Sequence, residues 1–251
     1  TEAFKNYINV SKLTREMVLE LINKIYCTQM QQMEKAADCL EQAIRQDGLI
    51  YVFGCGHSHM VSEELFYRAG GLVQVCPILD SAVMLHEGAA KSSKIERMSG
   101  LAGPLLERYE ISSKDVLLIV SNSGINSFGI EMALEARQKG CCVVAISSSQ
   151  YGGVASRHKS GKYLKDICDI YIDNCVGKGD ACVKISEDGK YAGPLSSLSA
   201  FFIANLLILM TCERQINHGQ IPKVYCSGNI DGADGVNEKY ILQYRSRIRH
   251  L

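Results

Sequence analysis

Residues 115–149 read DVLLIVSNSGINSFGIEMALEARQKGCCVVAISSS, and this stretch decides the fold class. Residues 115–120 and 141–146 carry apolar side chains on both faces and are predicted to be buried strands. Between them, residues 127–139 are predicted to form a helix that Gly140 ends. A buried strand joined through a helix to another buried strand is typical of a parallel sheet covered on both sides. The stretch therefore predicts an α/β fold.

The same rhythm extends along the chain in both directions. Strands are predicted at 49–53, 72–79 and 169–173, helices at 58–69, 101–109 and 196–215, and a hairpin turn at 187–190. Ser196 is the expected N-cap of the last helix. Because parallel crossovers are right-handed, the strand-to-helix loops meet at the carboxyl edge of the sheet. We expect a three-layer sandwich around a doubly wound parallel sheet of the flavodoxin-like kind.

The first 47 residues are predicted to be helical. Met33, Ala36, Ala37 and Leu40 recur at steps of three and four, and residues 11–25 show a rougher stripe of the same kind. We expect a helical hairpin that packs on the domain or on a second subunit, which predicts a homodimer or a higher homo-oligomer. One domain is expected over residues 1–251, with helices at 1–47, an α/β core at 48–220 and a C-terminal tail at 221–251.

Composition and charge argue against several classes of protein. The chain has 27 basic and 27 acidic residues, so its zero net charge gives no long-range attraction to nucleic acid or to an anionic membrane. Its 11 cysteines form no C-x-x-C pair, and several lie in apolar runs, which favours buried free thiols. No secretory signal is visible, and the longest apolar run, 200–210, is shorter than the roughly 20 residues that a membrane span needs. A cytoplasmic protein is expected.

Glycine and serine residues follow the predicted strands at the carboxyl edge. They are Gly54, Gly56 and Ser58 after the first strand, Ser121, Ser123, Gly124, Asn126 and Ser127 after the third, and Ser147, Ser148 and Ser149 after the fourth. Glycine lets backbone amides approach an anion, a helix N-terminus adds partial positive charge, and hydroxyl groups donate hydrogen bonds. The pattern predicts a site for a phosphate monoester on a neutral protein. Helix capping alone is the competing explanation for Ser58 and Ser127.

Other ligand-binding motifs fit less well. A dinucleotide-binding loop needs a third glycine where this chain has His59, and a P-loop needs a Gly-Lys-Ser/Thr motif that does not occur at the required spacing. His57 and His59 alternate with other residues of the loop that contains Cys55, which does not by itself make them converge on a metal. No metal and no cofactor are expected.

Two motifs resemble those of the sugar isomerase (SIS) domain family: Gly56-His57-Ser58 and Ser121-Asn122-Ser123-Gly124-Ile125-Asn126. The resemblance covers about residues 43–215, and the family includes phosphoheptose isomerase and N-acetylmuramic acid 6-phosphate etherase. The whole sequence is similar to a bacterial branch related to phosphoheptose isomerase. The resemblance implies a phosphorylated sugar as ligand, although the family usually has Ser or Thr in place of Asn126. The residues expected to bind it are Gly56, His57, Ser58, Ser121, Asn122, Ser123, Gly124, Asn126 and Ser147.

An aldose–ketose isomerase also needs a base, because its reaction moves a proton between adjacent carbons. Glu64 lies in the first predicted helix after Ser58, and phosphoheptose isomerases are similar in carrying a Glu-Glu-Leu in this helix. The other candidates are His86 and Glu87 in the irregular segment 80–98, and His218 after the long helix, where stabilisation of the helix C-terminus is the favoured explanation. The sequence predicts a sugar-phosphate isomerase. It leaves open a non-catalytic phosphosugar sensor and an etherase-type lyase on an amino-sugar phosphate.

Overall fold

A computed structural model describes residues 10–251 of the chain and contains a parallel sheet with the strand order β2-β1-β3-β4-β5. The strands are β1 (Ile50–Gly54), β2 (Val75–Pro77), β3 (Val116–Val120), β4 (Cys142–Ser147) and β5 (Ile170–Asp173). All four neighbouring pairs of strands are parallel. The predicted α/β class and doubly wound sheet are confirmed. β2 is shorter than predicted, because Leu72 instead forms an antiparallel bridge with Val224 of the tail.

Seven α-helices accompany the sheet in the described residues 10–251. They are α1 (Val10–Arg45), α2 (Met60–Leu65), α3 (Ala89–Ile95), α4 (Ala102–Leu106), α5 (Ser127–Gln138), α6 (Ser196–Asn217) and α7 (Ala233–Tyr244). A separate antiparallel hairpin consists of β6 (Ala181–Lys184) and β7 (Tyr191–Pro194), and the turn predicted at 187–190 connects its strands.

Alternate residues of the strands divide the core into two layers. In β1, Ile50 and Val52 pack with α1, α2 and α6 on one face of the sheet, while Tyr51 and Phe53 pack with α4 and α5 on the other. Successive side chains of a strand point to opposite faces, so a strand that is apolar at every position must be covered on both sides. This arrangement is the expected three-layer sandwich.

The predicted N-terminal hairpin is wrong, because α1 is one helix of 36 residues. The sequence from 10 to 45 contains neither glycine nor proline to end a helix. The apolar stripe continues past residue 25, where the first predicted helix was expected to end, with Leu21, Ile25 and Met33 all buried. Just beyond residue 25, the Gln29 side-chain oxygen accepts a hydrogen bond from the Asp173 amide at 2.9 Å. This polar residue of α1 therefore contacts the end of β5. Residues 1–9 of the predicted helical segment lie outside the described residues.

The start of α6 also differs from the prediction. Ser196 is the first helical residue and not the N-cap. Instead, the Asp180 carboxylate accepts hydrogen bonds from the amides of Leu195 and Ser196 at 3.0 and 2.8 Å, and from the Ser196 hydroxyl at 2.6 Å. The capping side chain therefore comes from the residue before the β6–β7 hairpin, which brings the two segments together.

Replacing Asp180 by alanine should destabilise the protein by about 2 kcal/mol, because the first amides of α6 lose their acceptor. Asp180 has a φ of 68°, a left-handed conformation that asparagine tolerates better than alanine. The Asp180→Asn variant should therefore retain most of the stability. Urea unfolding of both variants measures the difference, and equal loss in the two would contradict a capping role.

Helix α6 extends beyond both ends of the apolar run 200–210. Its 22 residues reach a mean hydropathy of 1.5 over an 18-residue window, so by length and composition alone it meets the requirement for a membrane span. Its inner face, which includes Ile203, Ala204 and Leu207, is fully buried in the layer shared with α1. Such packing is typical of a core helix of a globular domain.

The tail 221–251 packs on the opposite layer. Tyr225, Tyr244 and Ile248 are buried among the residues of β1, α4 and α5. The Gly/Asp-rich tract that begins at Gly228 forms a turn that leads into α7. The single-domain organisation over residues 1–251 stays a prediction.

Candidate functional site

The sheet has its topological switch point between β1 and β3. From β1 the chain crosses to β2 on one side, and from β3 it crosses to β4 on the other, so the loops that follow β1 and β3 diverge. In doubly wound sheets this divergence leaves a crevice outside the carboxyl ends of the strands, where ligands bind. Both motifs singled out in the sequence follow these two strands.

A cleft of about 170 Å³ occupies this position. Its walls come from the ends of β1 and β3, from both motif loops, and from the segments after α3 and β4. The residues that line it are Phe53, Cys55, Ser58, Glu96, Ile119, Val120, Ser121, Asn122, Ser123, Asn126, Gly129 and Tyr151. The structure thus brings together Ser58 and the loop 121–126, which are far apart in the sequence.

Several hydrogen-bond donors of this cleft have no partner within residues 10–251. The hydroxyl groups of Ser58 and Ser123 are unpaired, and the backbone amides of Asn122, Ser123, Asn126 and Ser127 donate to no other group of the described chain. The Ser121 hydroxyl accepts a hydrogen bond from the Gly124 amide at 3.2 Å, and the Ser127 hydroxyl donates to the Arg157 carbonyl at 2.9 Å. Free donors at a helix N-terminus are the arrangement that binds an anion in many α/β proteins.

Two glycines permit this loop geometry. A Cβ atom on Gly54 would lie 2.5 Å from the backbone carbonyl of Ser58, so only glycine lets the first loop turn back so tightly. Gly124 has a φ of +62°, and a Cβ there would lie 2.7 Å from the Ser147 hydroxyl oxygen. Both positions require a residue without a side chain.

Asn122 and Ser147 stabilise the loop 121–126 on the side away from the cleft. The Asn122 side-chain oxygen accepts from the Asn174 amide group at 2.8 Å, and its backbone carbonyl accepts from the Ser148 amide at 2.9 Å. Ser147 is buried, and its hydroxyl lies 3.4 Å from the Asn122 carbonyl oxygen. Ser147 therefore lies outside the cleft lining, behind Gly124, where it supports the loop.

In the loop after β1, the predicted binding residues other than Ser58 lie away from the cleft. His57 is exposed, and the Gly56 amide donates to the Val83 carbonyl at 2.8 Å. His59 is buried, with Nδ1 against the Gly56 carbonyl and Nε2 3.4 Å from the Glu63 carboxylate. Within residues 10–251, no three His, Cys, Asp or Glu side chains group in a way that could hold a metal.

None of the predicted catalytic residues lines the cleft. Glu64 lies on α2, where its carboxylate pairs with Arg68 and accepts from the Asn205 amide group of α6 at 2.9 Å. This pairing directs Glu64 toward the helical layer. His86 and Glu87 lie on an exposed 3-10 turn before α3.

His218 lies at the opposite edge of the sheet. Its Nδ1 atom is 3.0 Å from the carboxylate of Glu41, a residue only 3% exposed, and that carboxylate also contacts Arg45 at 3.4 Å. Because α1 ends just before β1 begins, this cluster lies near the amino ends of the strands. The cleft is at their carboxyl ends, so His218 cannot reach a ligand there within the same chain.

Two charged residues of the site were missed by the sequence analysis. Glu96 lines the cleft, and its backbone carbonyl accepts from the Phe128 amide in the first turn of α5 at 3.1 Å. Arg157 donates from its guanidinium group to the Asn126 side-chain oxygen at 2.6 Å, and from its amide to the Ile125 carbonyl at 2.9 Å. The only signal available was their position in irregular segments beside the motif loops.

Glu96 and Arg157 differ in their electrostatic environment. Burial raises the pKa of Glu96 above its usual value, while the Arg97 and Arg157 guanidinium groups and the Asn126 amide oppose that rise. Arg157 is exposed at the rim and supplies a positive charge beside the N-terminus of α5. The cleft therefore combines neutral donors, one cation at its entrance and one carboxyl group inside.

The fold and the cleft define a class of protein: a doubly wound α/β protein whose serine- and glycine-rich loops line a cleft at the switch point. A profile described as the SIS domain matches residues 15–148, more than half of the chain. The chain therefore belongs to the SIS domain family.

Relatives and solved structures agree with this assignment. A UPF0309 protein of Thermoanaerobacter pseudethanolicus is 43% identical over 247 residues, which cover 94% of this chain and 100% of the relative. A phosphoheptose isomerase from Francisella tularensis has the same fold, with a TM-score of 0.55, 12% identity and coverage of 82% of this chain and 98% of that chain.

Two further solved structures of the same fold are a domain of a transcription factor and a protein complexed with a sugar phosphate. The sugar isomerase domain of the RpiR transcription factor from Sphaerobacter thermophilus has a TM-score of 0.51 and 12% identity, covering 91% of this chain and 96% of that chain. The Vibrio vulnificus NanR protein complexed with ManNAc-6P has a TM-score of 0.50 and 13% identity, covering 96% and 72%. At such identities these likenesses concern the fold.

Proposed function

We propose that the cleft binds the phosphate group of a phosphorylated sugar. The observation that carries this proposal is the set of unpaired donors at the switch point: the hydroxyls of Ser58 and Ser123 and the free amides at the start of α5. Such donors can each point at a phosphate oxygen, and the helix dipole adds to the attraction. The ManNAc-6P bound to the NanR protein, which has the same fold, supports this ligand class.

The proposed reaction is aldose–ketose isomerisation of that phosphosugar. It needs a group that accepts and returns a proton inside a site that also holds the phosphate. The fold shared with phosphoheptose isomerases and the carboxyl group of Glu96 in the cleft support this reaction.

A non-catalytic sensor is the second candidate function. The likeness to the sugar isomerase domain of a transcription factor favours it, because a transcription factor there carries the same fold. Nothing in the cleft favours an etherase-type lyase over either candidate.

We further propose a cytoplasmic homodimer. Large apolar side chains are exposed on the outer helices, including Leu19 and Tyr26 of α1 and Leu209 and Ile216 of α6. Contact between two copies would remove these side chains from water. Light scattering coupled to gel filtration measures the assembly state.

A panel of phosphorylated hexoses, heptoses and amino sugars should raise the melting temperature of the protein, with the unphosphorylated sugars as controls. At a ligand concentration 100 times the Kd, binding adds about 2.7 kcal/mol of stability. For a chain of this size, that corresponds to a rise of roughly 5–11 °C. A panel in which no phosphorylated sugar shifts the melting temperature, or in which free sugars shift it equally, contradicts the proposed ligand class.

Exchange of the proton at the second carbon of the sugar, followed by NMR in deuterated buffer, separates the two candidate functions. An isomerase should replace this proton by deuterium, since the reaction passes through an enediol. A sensor should bind the same phosphosugar without exchange.

A further inference from the structure

Glu96 is the one carboxylate among the residues that line the cleft in the described part of the chain. The other lining groups that can exchange a proton are the Cys55 thiol, the Tyr151 phenol and the serine hydroxyls. Burial raises the pKa of the Cys55 thiol far above its usual value, so it stays protonated at neutral pH. The Tyr151 oxygen accepts a hydrogen bond from the Gly179 amide at 3.1 Å, which occupies it in positioning a loop.

We propose that Glu96 is the catalytic base that moves the proton between the two carbons of the bound phosphosugar. This inference rests on the proposed function. The Glu96 carboxylate takes the proton from the second carbon, and the electron pair of that C–H bond forms the double bond of a cis-enediol. The carbonyl oxygen takes up a proton from solvent. The hydroxyl on the second carbon then returns a proton to solvent, and Glu96 gives its proton to the first carbon.

The backbone holds Glu96 in a fixed relation to the phosphate loop. Its amide donates to the Ser92 carbonyl at 3.0 Å, and its carbonyl accepts from the Phe128 amide at 3.1 Å. Phe128 is the second residue of α5, the helix whose N-terminus carries the free donors. The base and the phosphate-binding groups are therefore attached to the same helix turn, as an enzyme needs in order to orient its substrate.

The charges around Glu96 suit a proton carrier. Arg97 on its own segment and Arg157 from the loop after β4 are the cations that face it, Asn126 is a neutral neighbour on the second motif loop, and the protonated Cys55 lies on the first. Burial is the largest influence and raises its pKa. A phosphate dianion bound beside it adds negative charge and raises this pKa further. A base with a pKa close to the working pH transfers protons most efficiently.

The Glu96→Gln variant tests this role. It keeps the size of the side chain, so the melting-temperature rise caused by the phosphosugar should be retained. Proton exchange at the second carbon should fall by about 100-fold or more, the usual contribution of a positioned base. Glu110→Gln, which changes an exposed glutamate beyond α4, is the matched control and should exchange at the wild-type rate.

A second measurement follows the proton itself. Calorimetric titration of the phosphosugar in two buffers of different ionisation enthalpy reports the protons taken up on binding. At slightly acidic pH the Glu96→Gln variant should take up fewer protons than the wild type, because the bound dianion raises the pKa of Glu96 while any proton release from the phosphate is common to both proteins.

The outcomes distinguish the two proposals. If the wild-type protein binds no phosphosugar, the proposed function fails. If it binds one but Glu96→Gln exchanges at the wild-type rate, or the wild type itself shows no exchange, the catalytic role of Glu96 is overturned while phosphosugar binding stands. Loss of exchange in Glu64→Gln, with Glu96→Gln unaffected, would assign the base to α2.

Discussion

A variant with both Ser121→Ala and Ser123→Ala should bind a phosphosugar more weakly by about 1–3 kcal/mol, a factor of roughly 5–150 in Kd. The two hydroxyls lie in the cleft directly after the buried strand β3. Hydrogen bonds from neutral donors to a phosphate dianion are charge-assisted, so each lost hydroxyl removes more than an ordinary hydrogen bond. Calorimetric titration of wild type and variant measures the change.

The single variants separate direct contact from loop order. The Ser123 hydroxyl has no partner within the described residues, so Ser123→Ala should change only ligand binding. Ser121→Ala also removes the acceptor of the Gly124 amide and should lower stability slightly. Ser113→Ala is the matched control, because Ser113 is exposed before the amino end of the same strand. Wild-type affinity in the double variant would exclude this loop from the phosphate site.

The Gly54→Ala variant should lose about 3 kcal/mol of stability, a fall of roughly 6–12 °C in melting temperature. The added Cβ would lie 2.5 Å from the Ser58 carbonyl group, a backbone contact that only a shift of the loop can relieve. Because Ser58 moves with that loop, the variant should also bind phosphosugar more weakly. Thermal unfolding and the calorimetric titration measure the two effects.

Gly235→Ala provides the comparison. Gly235 lies inside α7, and a Cβ there would meet no atom within 4 Å. Alanine in a helix restricts the unfolded chain more than glycine does, so this variant should gain about 0.5–1 kcal/mol. A Gly54→Ala protein as stable as the wild type would mean that the first loop is not held in the tight turn described above.

The sequence by itself was sufficient for the α/β class and for the two motif loops. Strands such as 116–120 are apolar at every position, and a strand with two apolar faces can be buried only in a sheet covered on both sides. The parallel topology then places the loops after β1 and β3 at one edge. These conclusions depend on the local apolar pattern, which the sequence shows directly, and on the right-handed crossovers common to parallel sheets.

Contacts between distant segments were decided only by the tertiary structure. Asp180 caps α6 across the β6–β7 hairpin, and Gln29 joins α1 to the end of β5, so neither the start of α6 nor the continuity of α1 followed from local propensity. Polar residues that look like loop formers in isolation are stabilised in helices by partners that a one-dimensional pattern does not contain.

The position of the Glu96 carboxyl group in the cleft is the clearest example of a feature that only the tertiary structure decided. Glu64, His86, Glu87 and His218 have residue types suited to catalysis, but their packing directs them to other partners or to solvent. Glu96 has no motif around it, and it reaches the cleft because its backbone is bonded to the first turn of α5. Residue type determines what a side chain can do chemically, whereas the tertiary contacts of its backbone determine where it can do it.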